Sequence, residues 1–348
     1  MSRTTLQQIA LSLNISVTTV SKALRSYPDV SQKTIEKVKE AAELLNYKPN
    51  AFAVNLRTQE SKTIGLVIPE IVHQFFSSVV KGVIEEAEKN GYTVIILQSS
   101  QNSEIEKKRV DFLINKQVDG ILIALADDTV EYRHLFEAQA IDLPIVMFDK
   151  IGKTVPCSKV IIDDIKAGYE ATKHLVACGC TKIAHFRAPL TSQNSIDRYS
   201  GYKKALKEFG LEFDESNVYH CKEMSFDVGK ENAQKLLKSG KKVDGIFVNT
   251  DLIAVGAMAE LKEQGVNIPN DISVIGFGNW FLSSVITPSL STVAQPSFTM
   301  GKIAFNTLFS ELNRLKENQH VEHQTIILPT EIIARESTLT GKKVNIPS

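Results

Sequence analysis

The chain has 348 residues, which is more than one hydrophobic core usually serves, so we expect two or three domains. A hydrophobic content of 43% with 23% charged residues is ordinary for a globular protein and argues against extended disorder. The formal net charge of zero hides an asymmetry, because residues 1–58 carry eight Lys and Arg against four Asp and Glu, a balance typical of a basic head that meets a polyanion.

Three short helices are predicted in residues 1–45. Thr5 followed by Gln8 is a capping-box pattern, so the first helix begins there. Asn14 tolerates the left-handed conformation of a tight turn, and Ser16 and Ser31 are N-cap candidates for the next two helices. The predicted buried faces follow the helical period: Leu6, Ile9, Ala10 and Leu13; Val20, Ala23 and Leu24; Ile35, Val38, Ala42 and Leu45.

The outer face of the second helix carries short or basic side chains, Val17, Thr18, Ser21 and Lys22. Two helices joined by a short turn and braced by a third form a helix-turn-helix, whose second helix enters the major groove of DNA. Lys22 can donate to guanine or phosphate, and Thr18 can contact a base edge or a thymine methyl group. The alternative is a three-helix bundle that binds no nucleic acid.

Residues 46–60 form a hinge or a linker. Pro49 can start a short helix, on which Asn50, Ala53 and Leu56 contribute to one small face. Such a helix is too short to be stable alone in water, so we expect it to form only when paired with a second copy on DNA. The alternative is a plain linker, which the polar residues 57–60 resemble.

From Lys62 the pattern changes to strands that alternate with amphipathic helices. The strand candidates are TIGLVIP, YTVIILQ, DGILIAL, PIVMFD, KVIID, KIAHFR, VDGIFVN and ISVIGFG. Apolar strands that alternate with helices predict doubly wound parallel sheets, and some 280 residues suggest two lobes. Ligands of such folds bind at the carboxyl ends of the strands, here in a cleft between the lobes.

Long segments of the chain resemble the LacI/GalR family of transcriptional regulators. NISVTTVSKALR is similar to the recognition helix of the family and LNYKPNAFAVNL to its hinge. IDDIKAGYEATKHLVACG, DRYSGYKKALKEFG, TDLIAVGAMAELKEQGVNIPNDISVIGFGN and PSLSTVAQPSFTMGKIA are similar to its regulatory domain. The resemblance implies an all-α headpiece at 1–45, a hinge at 46–60, and a periplasmic-binding-protein-like domain of two lobes at 61–340.

The resemblance also implies site residues. Val17, Thr18 and Lys22 would read bases, and Leu56 would intercalate in the minor groove and kink the duplex. The full DNA-binding set is Thr5, Ser16, Val17, Thr18, Ser21, Lys22, Asn50, Ala53 and Leu56. The implied effector-binding set is Phe75, Phe76, Asp149, Ser192, Asn194, Arg198, Phe226, Thr250, Asp251, Asn279 and Trp280.

Several positions depart from the family pattern. Lys22 and Lys150 stand where relatives often have arginine, and Thr250 stands where they have asparagine. Gly278 replaces the aspartate with which relatives grip sugar hydroxyls or a purine, so Asn279 or Trp280 would take over that role. Among the implied effector residues, the phenylalanines could instead be core, and Arg198 could instead pair with Asp197 or Asp251. Asp163 and Asp164 could line the cleft or cap the helix that follows them.

Other functions lack support in the sequence. There is no nucleophile elbow, Walker motif, dinucleotide fingerprint or metal-ligand spacing, so we expect no enzyme, no cofactor and no metal. The four cysteines form no CxxC pair and are expected to be reduced thiols. Without an apolar run long enough for a membrane span or a signal peptide, the protein is expected to be cytoplasmic, and a transport-type binding protein would not carry residues 1–60.

The expected partners are double-stranded DNA and a small molecule. A homodimer would read a pseudo-palindromic operator, because its two headpieces are related by a two-fold axis. The tail TLTGKKVNIPS has no heptad pattern, so we expect dimers rather than tetramers. The family makes a carbohydrate the default effector, with purine-like corepressors and signalling-protein partners as the alternatives.

Overall fold

The computed structural model describes residues 4–47, 60–188 and 190–338. The predicted hinge residues Asn50, Ala53 and Leu56 lie outside these ranges. The chain divides into two compact units, Met1–Ser61 and Lys62–Ser348.

The first unit contains the three predicted helices, α1 (Leu6–Leu13), α2 (Val17–Ala23) and α3 (Gln32–Leu44). The capping box at its start is complete, because Gln8 N–H donates to the Thr5 hydroxyl at 3.4 Å and Thr5 N–H donates to Gln8 Oε1 at 2.8 Å. Asn14 ends α1 with a φ of 52°, as predicted for a tight turn. The predicted helix-turn-helix is therefore confirmed.

The core of this unit consists of the predicted apolar faces, with one exception. Its buried residues are Ile9, Ala10, Val20, Ala23, Ile35, Val38 and Ala42. The prediction for Leu45 was wrong, because this side chain is 38% exposed. Leu45 is the C-cap of α3 with φ −88° and ψ 5°, so the backbone leaves the helical path and the side chain leaves the buried face.

The second unit is built from alternating strands and helices. Its strands are β1 (Thr63–Ile68), β2 (Thr93–Gln98), β3 (Gly120–Ile123), β4 (Ile145–Phe148), β5 (Ser158–Ile162), β6 (Ile183–Arg187), β7 (Val218–His220), β8 (Gly245–Val248), β9 (Ser273–Phe277), β10 (Ser291–Ala294), β11 (Thr325–Leu328) and β12 (Glu331–Ile333). Its helices are α4 (Gln74–Lys89), α5 (Ser103–Asn115), α6 (Arg133–Gln139), α7 (Asp164–Ala177), α8 (Gln193–Glu208), α9 (Phe226–Lys238), α10 (Asp251–Glu263), α11 (Leu282–Val285) and α12 (Ser297–Lys316), with a short 3₁₀ helix at Glu215–Asn217.

Two sheets organise these elements into two lobes. In the described part of the chain the first sheet has the order β11-β5-β4-β3-β1-β2 and the second has the order β12-β10-β9-β8-β6-β7. Their pairings are parallel except for β10 with β12. The predicted pair of doubly wound lobes is confirmed, and in each the loops after the strands are free to carry a site.

Pairs of neighbouring helices approach each other at reciprocal glycines. A Cβ atom built on Gly201 of α8 would lie 2.1 Å from the Ile165 carbonyl oxygen of α7, and one built on Gly168 of α7 would lie 2.3 Å from the Arg198 carbonyl oxygen of α8. The pairs α4 with α12 and α9 with α10 repeat this arrangement at Gly82, Gly301, Gly229 and Gly256. Only glycine permits such contact between backbones, so these residues fix how closely the helices behind the site pack.

Candidate DNA-reading surface and effector cleft

The predicted reading residues share one side of α2. Val17 is 40% exposed, Thr18 is also exposed, and Ser21 and Lys22 are half-buried. Ser16 is the N-cap, since its hydroxyl accepts from Thr19 N–H at 3.0 Å. Thr5 and Ser16 are thus exposed cap residues at the starts of α1 and α2, where free backbone N–H groups favour phosphate oxygens.

A concave polar surface lies between α2 and the start of α3, and we call it the reading groove. It is lined by Ser16, Thr18, Thr19, Lys22, Asp29, Val30, Ser31 and Thr34. Within it the Lys22 ammonium group contacts the Asp29 carboxylate, and this hydrogen bond lowers the pKa of Asp29. Sequence reasoning missed Asp29, because nothing local indicates that a turn residue reaches back to the helix before it.

The second unit contains a cavity lined by both lobes, which we call the cleft, of about 660 Å³ including its open mouth. The implied effector residues that line it are Phe75, Phe76, Asp149, Asn194, Arg198, Thr250, Asp251 and Trp280. It is also lined by His73, Gln74, Gln101, Lys150, Met224, Leu252, Phe277, Gly278 and Gln295. Of these nine additional residues, all but Phe277, the last residue of β9, follow the carboxyl ends of strands or lie at the start of the next helix, which is the signal that could have identified them.

Three implied effector residues do not line the cleft directly. Ser192 donates to Asn194 Oδ1 at 2.5 Å and so positions a residue that does. Asn279 accepts from Arg335 Nη2 at 2.8 Å. Phe226 begins α9 and is 37% exposed, so it is not a core residue. The first two therefore support neighbouring groups.

Arg198 is a buried ion-pair partner as well as a cleft residue. Its Nε donates to Asp164 at 2.7 Å, its Nη1 donates to the Asn249 carbonyl oxygen at 3.1 Å, and its guanidinium lies 3.6 Å from the centre of the Phe277 ring. The prediction that Arg198 pairs with Asp197 or Asp251 was wrong. Asp197 accepts from Lys153, and Asp251 accepts from the Thr292 hydroxyl. Burial raises the pKa of Asp164 to about 7, although Arg198 opposes that rise.

The two acidic residues before α7 have different roles. Asp163 accepts from Lys166 N–H at 2.9 Å and caps the helix, as predicted for at least one of the two. Asp164, the first residue of the helix, turns inward to Arg198. Asp163 therefore caps the helix, whereas its neighbour Asp164 is the ion-pair partner of a cleft residue.

Lys150 is neutralised inside the protein. Its ammonium group lies 2.5 Å from Asp127 Oδ1 and 3.1 Å from Gln101 Oε1, and both charged partners are buried. A buried ion pair with a supporting hydrogen bond offers little net charge to a ligand. The two cations of the cleft wall, Lys150 and Arg198, are thus each balanced by a carboxylate.

Asp149 is a cleft carboxylate without an ion-pair partner among the described residues. It is buried, has a φ of 55°, and its carboxylate makes no hydrogen bond within residues 60–188 and 190–338. Burial raises its pKa, with Arg198 and Lys150 opposing the rise. A buried carboxylate that faces a cavity is stabilised by any ligand that brings hydrogen-bond donors to it.

Asp251 holds the loop that carries the tryptophan. Its Oδ1 accepts from the Thr292 hydroxyl at 2.7 Å and its Oδ2 accepts from Trp280 N–H at 2.6 Å. A side chain at Gly276 would displace the Asp251 carboxylate, because a Cβ atom there would lie 2.3 Å from Asp251 Oδ1. Gly278 has a φ of +123°, a conformation that an aspartate would adopt only with strain.

Burial raises the pKa of Asp251 to about 6. Because this value lies above the unfolded one, the stabilisation from the protonated form is complete below about pH 4 and is lost as the pH rises through 6. An Asp251→Asn variant cannot ionise, so its free energy of unfolding relative to that of the native protein should rise by about 2.4 kcal/mol between pH 4 and pH 8. Denaturant unfolding at both pH values measures this gain, and a constant difference would show an ordinary pKa.

Direct contacts bridge the lobes around the cleft. Phe281 N–H donates to Gln74 Oε1 at 2.7 Å, and the His73 and Trp280 rings are 6.3 Å apart. Elsewhere Lys153 lies 3.1 Å from Asp197. These polar contacts are partly exposed, so a ligand that adds contacts to both lobes can change how the lobes are held together.

The described helices include none that is long and apolar enough to cross a membrane. The described residues also contain no group of three His, Cys, Asp or Glu side chains placed to hold a metal ion. Cys157, Cys180 and Cys221 are buried thiols, and Cys178 is half-buried.

Comparison with known proteins agrees with this architecture. Residues 5–50 match the family described as bacterial regulatory proteins, lacI family, and residues 61–333 match periplasmic binding proteins and the sugar binding domain of the LacI family.

The transcriptional repressor PurR of Vibrio atlanticus is 34% identical over 97% of this chain and 99% of its own length. The lac repressor dimer bound to operator and an anti-inducer superposes with a TM-score of 0.85 at 25% identity, covering 97% of this chain and 100% of the repressor chain. The CelR regulator in complex with cellobiose gives a TM-score of 0.73 at 25% identity, covering 96% of this chain and all of the other. With matches to both family descriptions and to a full-length repressor, this chain belongs to the LacI family of bacterial regulatory proteins.

Proposed function

We propose that the protein is a transcriptional repressor whose affinity for an operator is controlled by a small molecule, a sugar or sugar derivative, bound between the two lobes. The observation that carries this proposal is the cleft, where buried polar groups of both lobes surround a cavity in a chain that also carries a helix-turn-helix. The named relatives are regulators, so the cleft serves binding rather than catalysis. Because its target is chromosomal DNA, the protein acts in the cytoplasm.

The chemistry of the cleft favours an uncharged, donor-rich effector. Lys150 and Arg198 are neutralised by Asp127 and Asp164, which leaves Asp149 to accept hydrogen bonds. Among the lining residues, the Thr250 hydroxyl and Gln295 Oε1 are buried without a hydrogen-bond partner. The walls include Phe75, Phe76 and Trp280, and aromatic faces stack on the apolar faces of sugar rings. A phosphorylated ligand would be repelled by Asp149, and each of the described Lys and Arg residues in the cleft lining is already paired with a carboxylate.

The coupling between ligand and DNA follows from two-site linkage. A homodimer places two headpieces on a pseudo-palindromic operator, as in the operator-bound lac repressor dimer. An effector that contacts both lobes shifts how they are held, and this shift reaches the DNA-binding helices through residues 46–60. Leu56 in that segment is proposed to intercalate in the minor groove. Because coupling is reciprocal, operator DNA changes effector affinity by the same factor.

The experiment measures operator affinity with and without candidate effectors. The operator is the duplex that the full-length protein enriches from a random pool, and fluorescence anisotropy at fixed salt gives its Kd. The probes are glucose, cellobiose, ribose, glucose 6-phosphate and adenosine. We expect an uncharged sugar to change the operator Kd by about 5- to 150-fold, the usual range of such coupling. A response to none of the probes would count against a sugar effector, while enrichment of no duplex would count against DNA reading itself.

An Asp149→Asn variant is the matched test of the cleft. It keeps the shape of the side chain, and asparagine tolerates the left-handed backbone at this position. Replacing the carboxylate removes a charge-assisted acceptor, so the effector should bind about ten-fold or more weakly. Operator affinity without effector should stay at the native value. An unchanged effector Kd would show that the ligand does not use Asp149.

A further inference from the structure

We infer that Asp29 is a specificity-determining residue of the reading groove: by holding Lys22, it disfavours contact with phosphate and favours contact with base edges. The inference rests on the proposed DNA reading and names a residue outside the set implied by the family resemblance. It is built on the contact between the Lys22 ammonium group and the Asp29 carboxylate.

Both members of this pair line the reading groove. Lys22 is the only basic residue of α2. Asp29 lies in the turn before α3, and its carboxylate faces back toward α2. The other lining groups are hydroxyls and one valine, so the groove carries one positive and one negative charge. Its net charge is therefore zero at the position where a base-reading cation was expected.

The pair is open to solvent and does not lock Lys22 away. The side chains of Lys22 and Asp29 are 43% and 52% exposed, and ion pairs of this kind contribute little to stability. A lysine ammonium has three donors, so one donor can stay on Asp29 while the others meet an acceptor. Lys22 can therefore contact guanine N7 or O6 without leaving Asp29.

Phosphate and base edges differ in how they interact with Asp29. A phosphate drawn to Lys22 brings a second anion next to the carboxylate, and the two repel. A guanine edge is uncharged and brings no such repulsion. The partner cytosine even presents an amino group that a carboxylate can accept from. The pair thus suits a G·C base pair and penalises the phosphate contacts that dominate non-specific binding.

The test compares Asp29→Asn with Glu36→Gln in the full-length protein. Both variants remove one negative charge from the same unit, but Glu36 lies on α3 outside the reading groove, where it accepts from Gln32. Anisotropy gives Kd for the enriched operator and for a scrambled duplex of equal length. Asp29→Asn should tighten binding to the scrambled duplex roughly three- to ten-fold and to the operator less than two-fold. Glu36→Gln should change both alike.

A second background and a sequence readout complete the test. In a Lys22→Gln background, the differential effect of Asp29→Asn should disappear, because there is no cation left for Asp29 to hold. Repeating the enrichment with Asp29→Asn should relax a G·C preference in each half-site. The inference is overturned if Asp29→Asn and Glu36→Gln change the specificity ratio equally, or if the effect survives without Lys22. If the native protein enriches no duplex, the proposed DNA reading fails first and the role of Asp29 fails with it.

Discussion

An Arg198→Ala variant is expected to lose about 3–5 kcal/mol of folding free energy at pH 8, because it leaves Asp164 buried without its cation. The loss should be smaller at pH 5. In the folded variant the pKa of Asp164 rises above its native value of about 7, so at low pH the carboxyl is protonated and neutral. As the pH rises, the variant must either bury a bare carboxylate or unfold. Denaturant midpoints at the two pH values measure both effects.

The control removes both partners. An Arg198→Met, Asp164→Leu double variant has no unpaired charge in the wall, so it should recover part of the loss. If Arg198→Ala unfolds within about 1 kcal/mol of the native protein at pH 8, the buried pair contributes less than the geometry implies. Arg198→Ala is a poor test of effector binding. It removes a possible ligand contact and also disturbs the wall of the cleft, so a loss of binding could come from either change. Asp149→Asn avoids that ambiguity.

The small unit could be predicted almost completely from the sequence, since its determinants are local. The capping box joins Thr5 to Gln8, and Ser16 and Ser31 each cap a helix that begins at the next residue. These interactions span three or four residues and leave a direct trace in the sequence. The prediction that Leu45 is buried was wrong because the apolar period of α3 does not show that the helix ends at Leu44.

The sheets could be predicted where strands are apolar and buried on both faces. The strands missed were β7, β10, β11 and β12, which lie at or next to sheet edges and have three or four residues each. β10 reads Ser-Thr-Val-Ala and β12 begins with glutamate, so neither shows the apolar run typical of an inner parallel strand. Gln295 was missed as a cleft residue for the same reason, since it follows a strand that was not predicted.

The charge partners in the cleft could not be predicted, because they depend on how helices cross. Arg198 meets Asp164 from 34 positions away, and the sequence offered Asp197 and Asp251 as equally reasonable partners. The choice follows from the crossing of α7 and α8, which brings the start of one helix beside the middle of the other. That crossing is set by two glycines whose role is visible only in the packed structure.

A Gly201→Val variant should lose roughly 3 kcal/mol of folding free energy and also its response to effector. Its Cβ atom would lie 2.1 Å from the Ile165 carbonyl oxygen and 2.6 Å from the Tyr169 amide nitrogen. Both atoms belong to the backbone of α7, so no side-chain rotation relieves the clash and the helices must separate. Valine has a better helix propensity than glycine, but this stabilises the helix by less than about 1 kcal/mol. The clash is larger, so the variant is destabilised.

Separation of the helices would also move Arg198, which lies one turn before Gly201 on α8 and pairs with Asp164 on α7. A Ser200→Val control places the same side chain one position earlier on α8, at a half-buried residue, and should cost less than about 1 kcal/mol with the effector response kept. Denaturant unfolding gives the stability, and the effector-dependent operator Kd gives the response. If Gly201→Val matched Ser200→Val in both, the close approach of α7 and α8 would not be what positions Arg198 in the cleft.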